Sequence, residues 1–571
     1  MPRRKPFSGK LKKKQLQEKR LRLKARKESG SASSDQSAED GPSIDKSEVE
    51  KVKVEKLNEQ PQAVDKKSDH NRYKLHFLKE SSDEIQRRKR EAMSTYVNLL
   101  PEESLEIAFD EVFQPGTVLD IPKRPPWNYT LSKEELEQNE EEYFQQYLEN
   151  IFEQHEVEKL SYFELNLETW RQLWRVLEMS EILLLIVDIR FPVLHFSPAL
   201  YDHVTRQLGK YVIVVLNKID LAPPSLVVAW KEYLQEKFPE LSIVLFTSKP
   251  KDAMERSSLS GKVLQRKRQK RVDTAVGPQQ LLDVCESIVK DKVDLSSWRR
   301  KVDSGHFDRH EVDSDSDQED TVASASQESL DLSYQDHERY KDGVLTIGCL
   351  GFPNVGKSSL MNALVGRKVV SVSRTPGHTK HFQTIYLTDT VRLCDCPGLV
   401  FPSLVPKPLQ ILSGIYPIAQ VREPYSVVGY MAERIPLTHI LKIQHSDDEG
   451  NTQPWTAWEI CDAWAAKRGF LTAKAARNDV YRAANNLLRL ALEGRLSLCL
   501  RPPGYTAHRD HWENHPDTEE IARLQDACKR SSMSGDGDDE DSDSMSDNDN
   551  VQKASQNPFL LLGSVDHGLL D

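Results

Sequence analysis

The sequence predicts an α/β fold: a doubly wound, mostly parallel sheet, joined to a C-terminal helical domain and flanked by disordered tails. Three observations carry this. Short apolar runs alternate with helical segments between residues 161 and 302, and again between 341 and 403. After residue 404 helical periodicity continues without strands. Both ends, and a stretch near 303–340, are polar and poor in apolar residues. At 571 residues the chain has room for several cored domains, but 29% charged residues is too polar for one uninterrupted globule.

Residues 1–70 form the first tail, basic and then of mixed charge. The opening MPRRKPFSGKLKKKQLQEKRLRLKARK holds one acid, Glu18. Such a block suits nucleic acid or a nuclear import receptor; the plain alternative is a solubilising tail. A mostly helical N-terminal region follows over 71–160. Within it Ser132, with Glu135 three residues on, reads as a helix N-cap. Trp170, Leu173, Trp174 and Leu177 then recur at helical spacing and read as core packing.

In the first sheet segment, 161–302, EILLLIVD, YVIVVL and LSIVLFTS are strands. SPALYDHVTRQLG, SLVVAWKEYLQEKF and PQQLLDVCESIVKD are helices between and after them, and KVLQRKRQKRV is a basic insert. Continuous apolar strands of this kind belong to parallel sheets covered on both faces. The linker 303–340 is acidic and Ser-rich, a candidate kinase target. In the second segment, 341–403, VLTIGCL, HFQTIYLTD and VRLCD are strands. A helical domain covers 404–500, and 501–571 is expected to be a mostly disordered acidic tail containing GDGDDEDSDSMSDNDN.

Seven scattered cysteines, an odd number, read as reduced thiols of an intracellular protein. Cys394 and Cys396 have no second pair nearby, which argues against a zinc site. The longest apolar run, residues 182–187, is far too short to cross a bilayer, so no membrane partner is expected.

GFPNVGKSS, residues 351–359, follows a strand and opens a helix, the context a phosphate-binding loop needs. Gly351 and Gly356 allow the tight turn, and the amides through Asn354, Val355 and Ser359 face phosphate oxygens. Lys357 reaches the β and γ phosphates, and Ser358 offers a hydroxyl to Mg²⁺. DCPG follows at a strand end: Asp395 is a second Mg²⁺ group, and Pro397 and Gly398 bring an amide to the γ-phosphate. Between them lies VSRTPGHTKHF, where Thr379, or failing it Thr375, would supply another Mg²⁺ hydroxyl.

NKID ends an earlier strand. The Asp220 carboxylate can accept from guanine N1–H and N2–H₂, a pairing adenine lacks. Asn217 can bond the other edge, and the Lys218 stem can lie along the ring. Ser248 and Lys249, in TSK at the next strand end, are the further base-side residues. The parts of a GTP/GDP site are thus present, with the base-reading half first: a circular permutation of the P-loop GTPase fold.

The order NKID, TSK, GFPNVGKSS, PGHTK, DCPG resembles the circularly permuted GTPases that serve in ribosome assembly. TWRQLWRVLEMSEILLLIVDIRFP is also similar to that family, with Asp188, Arg190 and Pro192 close to its Asp-Ala-Arg-x-x-Pro-like stretch. The resemblance covers roughly residues 160–495 and implies a GTP-hydrolysing switch on a ribosomal particle or rRNA, most simply the large subunit. It also implies a nuclear, nucleolar or cytoplasmic address. Leu399 stands where Ras-like switches place a water-orienting Gln, which implies slow intrinsic hydrolysis. Asn354 matches an asparagine that supports K⁺ binding in related GTPases. The competing readings are a scaffold that holds nucleotide without hydrolysing it, and an ATPase with a chance NKID.

Overall fold

The structure, a computed structural model, describes residues 77, 80–113, 119–128, 130–156, 159–248, 275–303, 338–370, 372, 382–445, 454–472 and 477–530. The basic start, the basic insert, most of the acidic linker, the acidic stretch near the end, Lys249, Thr375 and Thr379 lie outside these residues.

Six strands form one sheet: β1 (Ile182–Asp188), β2 (Tyr211–Asn217), β3 (Ser242–Phe246), β4 (Leu345–Leu350), β5 (Gln383–Thr388) and β6 (Val391–Asp395). Their order is β3-β2-β1-β4-β6-β5. All pairs are parallel except β5 with β6 at the edge. From the centre the chain winds outward through β1, β2 and β3; the second half starts at β4, crosses to β5 at the edge and returns to β6 beside β4. The register pairs Asp188 with Asn217, Leu185 with Leu350, and Cys349 with Asp395. The C-terminal ends of β1, β2, β4 and β6 therefore meet on one sheet edge, the place such sheets offer to ligands. β1 and β4 are buried along their whole length, as their unbroken apolar runs require.

Helix α1 (Ser82–Ser94) precedes α2 (Lys133–Gln154), which begins with the expected Ser132–Glu135 capping box. In α3 (Leu167–Met179) Trp170, Leu173, Trp174 and Leu177 are all core residues, as expected. Each indole still finds a carbonyl: Trp170 Nε1 donates to Glu164 O at 3.0 Å and Trp174 Nε1 to Pro122 O at 2.8 Å. After β2 comes α4 (Pro224–Lys237), and α5 (Lys357–Val365) follows β4.

Beyond β6 the chain passes Ser161 and Glu164, whose amides donate to Ser403 O and Val400 O, both at 3.0 Å. It then enters the helical region: α6 (Lys407–Leu412), α7 (Tyr425–Ala432), α8 (Ala457–Arg468) and α9 (Val480–Leu492). Residues before the sheet lace this region to the rest. Val97 N donates to Trp455 O, Leu100 N to Glu433 O and Arg501 N to Leu105 O, at 2.7, 2.7 and 2.8 Å.

The expected tail from residue 501 starts too early. Helix α10 (Pro516–Arg530) packs on α4, with Lys231 paired to Asp517 at 2.9 Å. Leu500 O accepts from Trp230 Nε1, and the Tyr505 hydroxyl meets Ser225, each at 3.0 Å. Composition hid this because α10 is mostly polar and, among its described side chains, only Ile521 is buried. No helix among the described residues is long and apolar enough to cross a membrane.

Candidate functional site

The glycine loop 351–356 leaves β4 and ends at Gly356, the N-cap of α5. Its turn needs backbone that only glycine adopts freely: Gly351 has φ +144 and Gly356 φ +104. Val355 is buried under the loop, and Ser359 lies on the first turn of α5. Lys357 folds back over the loop, donating to Gly351 O at 3.0 Å and Phe352 O at 2.8 Å. Burial lowers the pKa of this amine. These are carbonyls such a lysine can exchange for phosphate oxygens.

Ser358 Oγ donates to Asp395 Oδ2 at 3.2 Å. The hydroxyl and the fully buried carboxylate are hard oxygen donors side by side, which fits Mg²⁺ shared with phosphate and water. Pro397 and Gly398 are buried against the loop. A Cβ on Gly398 would stand 2.9 Å from Pro353 Cα and 3.1 Å from Lys357 Nζ. Leu399 is 2% exposed, its amide donating to Gly351 O at 3.4 Å.

NKID sits beside this loop. Asn217 Nδ2 donates to Val355 O at 2.7 Å, and its Oδ1 accepts from Lys218 N at 2.9 Å. Lys218, at φ +60, sends Nζ to Asn354 O and to Asp188 Oδ2, each at 2.7 Å. Burial lowers the Lys218 pKa, an effect Asp188 opposes. Asp220 accepts at Oδ1 from Thr247 Oγ1 at 2.7 Å. Thr247 is thus one partner of Asp220, and Ser248 follows it in the chain.

Three supports escaped sequence reasoning. Thr247, the first residue of TSK, orients the Asp220 carboxylate. Gln525 on α10 donates to Ile219 O at 2.7 Å and Ala222 O at 3.1 Å, gripping the NKID turn from about 300 residues away. Asn354 directs Nδ2 to Gly414 O at 2.9 Å, tying the glycine loop to the turn after α6. No local pattern marks Gln525 or Gly414; Thr247 carried the weak signal of being the first residue of TSK.

Asp188 is fully buried between Arg190 and Lys218. Burial alone would raise its pKa, but the two cations outweigh that and hold it well below the usual carboxylate range. Nearby His195 is fully buried, with Phe191 and Phe352 as ring neighbours. Burial pushes its pKa from 6.5 down to about 3. Below pH 6.5 the unfolded chain binds this proton and the folded one does not, so stability drops as pH falls toward 3, by up to about 1.4 kcal/mol per pH unit. Denaturant titrations from pH 7 to 4.5 are expected to show a shallower acid-side loss in His195→Phe than in the natural protein; equal slopes would refute this.

Comparisons with known proteins bear on the family. A family model described as "50S ribosome-binding GTPase" matches residues 346–427. "Guanine nucleotide-binding protein-like 1" of Homo sapiens is 55% identical over 543 residues, covering 92% of this chain and 90% of that protein. "Large subunit GTPase 1 homolog" of Bos taurus is 34% identical over 443 residues, covering 68% of this chain and 67% of that one. The solved "Crystal structure of GNP-bound YlqF from T. maritima" overlaps 59% of this chain and 98% of that one, at 15% identity and a TM-score of 0.32. That overlap is too slight to carry an argument. Identity sustained over nine-tenths of both chains is not slight: the chain belongs to the guanine nucleotide-binding protein-like 1 family of circularly permuted GTPases.

Proposed function

We propose that this chain binds GTP and GDP with Mg²⁺, hydrolyses GTP slowly, and acts as a switch on a ribosomal particle, most simply the large subunit. The observation that carries the reading is the meeting of NKID with the glycine loop, through Asn217 to Val355 O and Lys218 to Asn354 O, beside the Ser358–Asp395 oxygen pair. In this reading Gly351, Asn354, Val355, Gly356, Lys357, Ser358 and Ser359 hold the phosphates. Asn217, Lys218 and Asp220, with Ser248 and Lys249, hold the base. Ser358, Asp395 and Thr379 would hold Mg²⁺, which when bound neutralises charge on the phosphate oxygens. Pro397 and Gly398 meet the γ-phosphate. Asn354 Oδ1 is the atom a K⁺ ion would take; equal turnover in Na⁺ and K⁺ buffers would remove that role.

Leu399, buried and apolar, has no group to polarise a water. Hydrolysis then depends on a docked particle, and the basic residues 1–27 suit rRNA phosphates or an import receptor. The acidic Ser-rich stretches suit kinases, and nucleus, nucleolus and cytoplasm are the compartments this reading implies. Leu399 equally favours a second reading, a scaffold gated by nucleotide without turnover.

The deciding experiment measures GTP turnover by the purified chain in K⁺ buffer, with and without large ribosomal subunits. Stimulation of about tenfold or more, equivalent to one added transition-state contact near 1.4 kcal/mol, is the expected result. Tight GTP binding with no stimulation would favour the scaffold.

A further inference from the structure

The family-like stretch DIRFP has no part in the chemistry so far, yet it holds two deeply buried charges near the site. Asp188 Oδ1 accepts from Arg190 N at 3.1 Å and Arg190 Nε at 3.0 Å. Its Oδ2 accepts from Arg190 Nη2 at 2.8 Å and Lys218 Nζ at 2.7 Å. Arg190 Nη1 reaches Ala491 O at 3.0 Å, near the end of α9, and Arg190 O accepts from Leu500 N at 2.8 Å. Asp188 and Arg190 are each about 1% exposed or less.

Buried ion pairs contribute little net stability, because desolvation offsets their attraction; what they fix is geometry. The geometry fixed here is that of Lys218. It is one of the few described non-glycine residues at positive φ, a conformation that persists only where surrounding contacts over-determine it. Its amine is pinned at two points: the Asp188 carboxylate and the Asn354 carbonyl of the glycine loop. Without Asp188 one pin is lost, and the lysine stem is free to leave the plane where a base would lie.

We propose that Asp188 is a positioning residue for nucleotide binding: with Arg190 as its clamp it holds Lys218 across the glycine loop, and Arg190 makes α9 part of that support. The helical domain thereby bears on nucleotide affinity without touching nucleotide. The proposal rests on the reading of NKID as the guanine loop.

The test is a double-mutant cycle on release of ribose-labelled fluorescent GDP from the full chain, with thermal midpoints recorded for each variant. Asp188→Asn and Lys218→Met are each expected to speed release about 10- to 100-fold, the range for losing a charged hydrogen bond. The double variant is expected to match Lys218→Met within about twofold, because Asp188 acts through Lys218. Accelerations that multiply would overturn the proposal, whatever the midpoints. If Asp188→Asn does not fold, Arg190→Lys takes its place. It keeps a cation beside Asp188 but loses the fork that also reaches Ala491, and the same non-additivity with Lys218→Met is expected, multiplication again overturning the idea. Asp220→Asn separates the two levels: unchanged preference for GDP over xanthosine diphosphate would refute the guanine-loop reading, which the cycle alone does not test.

Discussion

Asp220→Asn is expected to turn a GTP-binding protein into one that prefers xanthosine triphosphate. Asp220 lies in the single turn Ile219–Leu221 that follows the left-handed Lys218. Its carboxylate is oriented by Thr247 Oγ1 at 2.7 Å, and the turn is gripped from behind by Gln525. In the guanine-loop reading, a carboxylate held this way would accept from both guanine N1–H and N2–H₂. An amide in its place accepts only once, and its N–H₂ faces the guanine amino group. Losing one to two charge-assisted hydrogen bonds weakens GTP binding by about 100- to 1,000-fold. Xanthine carries an oxygen where guanine carries the amino group, so the new amide donor finds an acceptor. Competition of labelled GDP against unlabelled GTP, ATP and xanthosine triphosphate measures the switch. An unchanged preference would sink guanine reading and revive the ATPase alternative.

Gly356→Ala should abolish nucleotide binding and lower stability together. Gly356 sits at φ +104, where a side chain costs about 1–2 kcal/mol in strain. A Cβ there would stand 2.3 Å from Asn217 Nδ2. Asn217 has no room to give way: it is 1% exposed and hydrogen-bonded to Val355 O and Lys218 N. Displacing it breaks a buried hydrogen bond, a further loss of about 1–3 kcal/mol. The glycine loop and NKID are then both misplaced. The expected result is GDP affinity down more than about 100-fold and a thermal midpoint lower by several degrees. Gly469→Ala is the control, since Gly469 also has positive φ, +64, but nothing within 4 Å of its would-be Cβ. GDP binding by Gly356→Ala within a few-fold of the natural chain would contradict the account.

Much of this molecule was legible in the sequence because its signals are local. A parallel strand buried on both faces must be a short apolar run, and Ile182–Asp188 and Tyr211–Asn217 are such runs. A capping box spans four residues, so Ser132 and Glu135 announce a helix start unaided. Gly351 and Gly356 are required by backbone angles within one turn. The reversed motif order was visible too, since it is a statement about sequence.

What packs against these parts was decided only in three dimensions. Arg190 finds Ala491, Asn354 finds Gly414, and Gln525 finds Ile219 across gaps of about 300, 60 and 300 residues. Each is a polar side chain meeting a backbone carbonyl, and every residue has a carbonyl, so the partner leaves no trace in residue type. The same reason explains residues 501–530, whose polar helix reads as a tail until the face of α4 is beside it. The sequence by itself determined the motifs and the strands that carry them, because both depend on near neighbours. The tertiary structure decided which distant elements hold those motifs still, because buried polar groups must be satisfied by whatever the fold brings within reach.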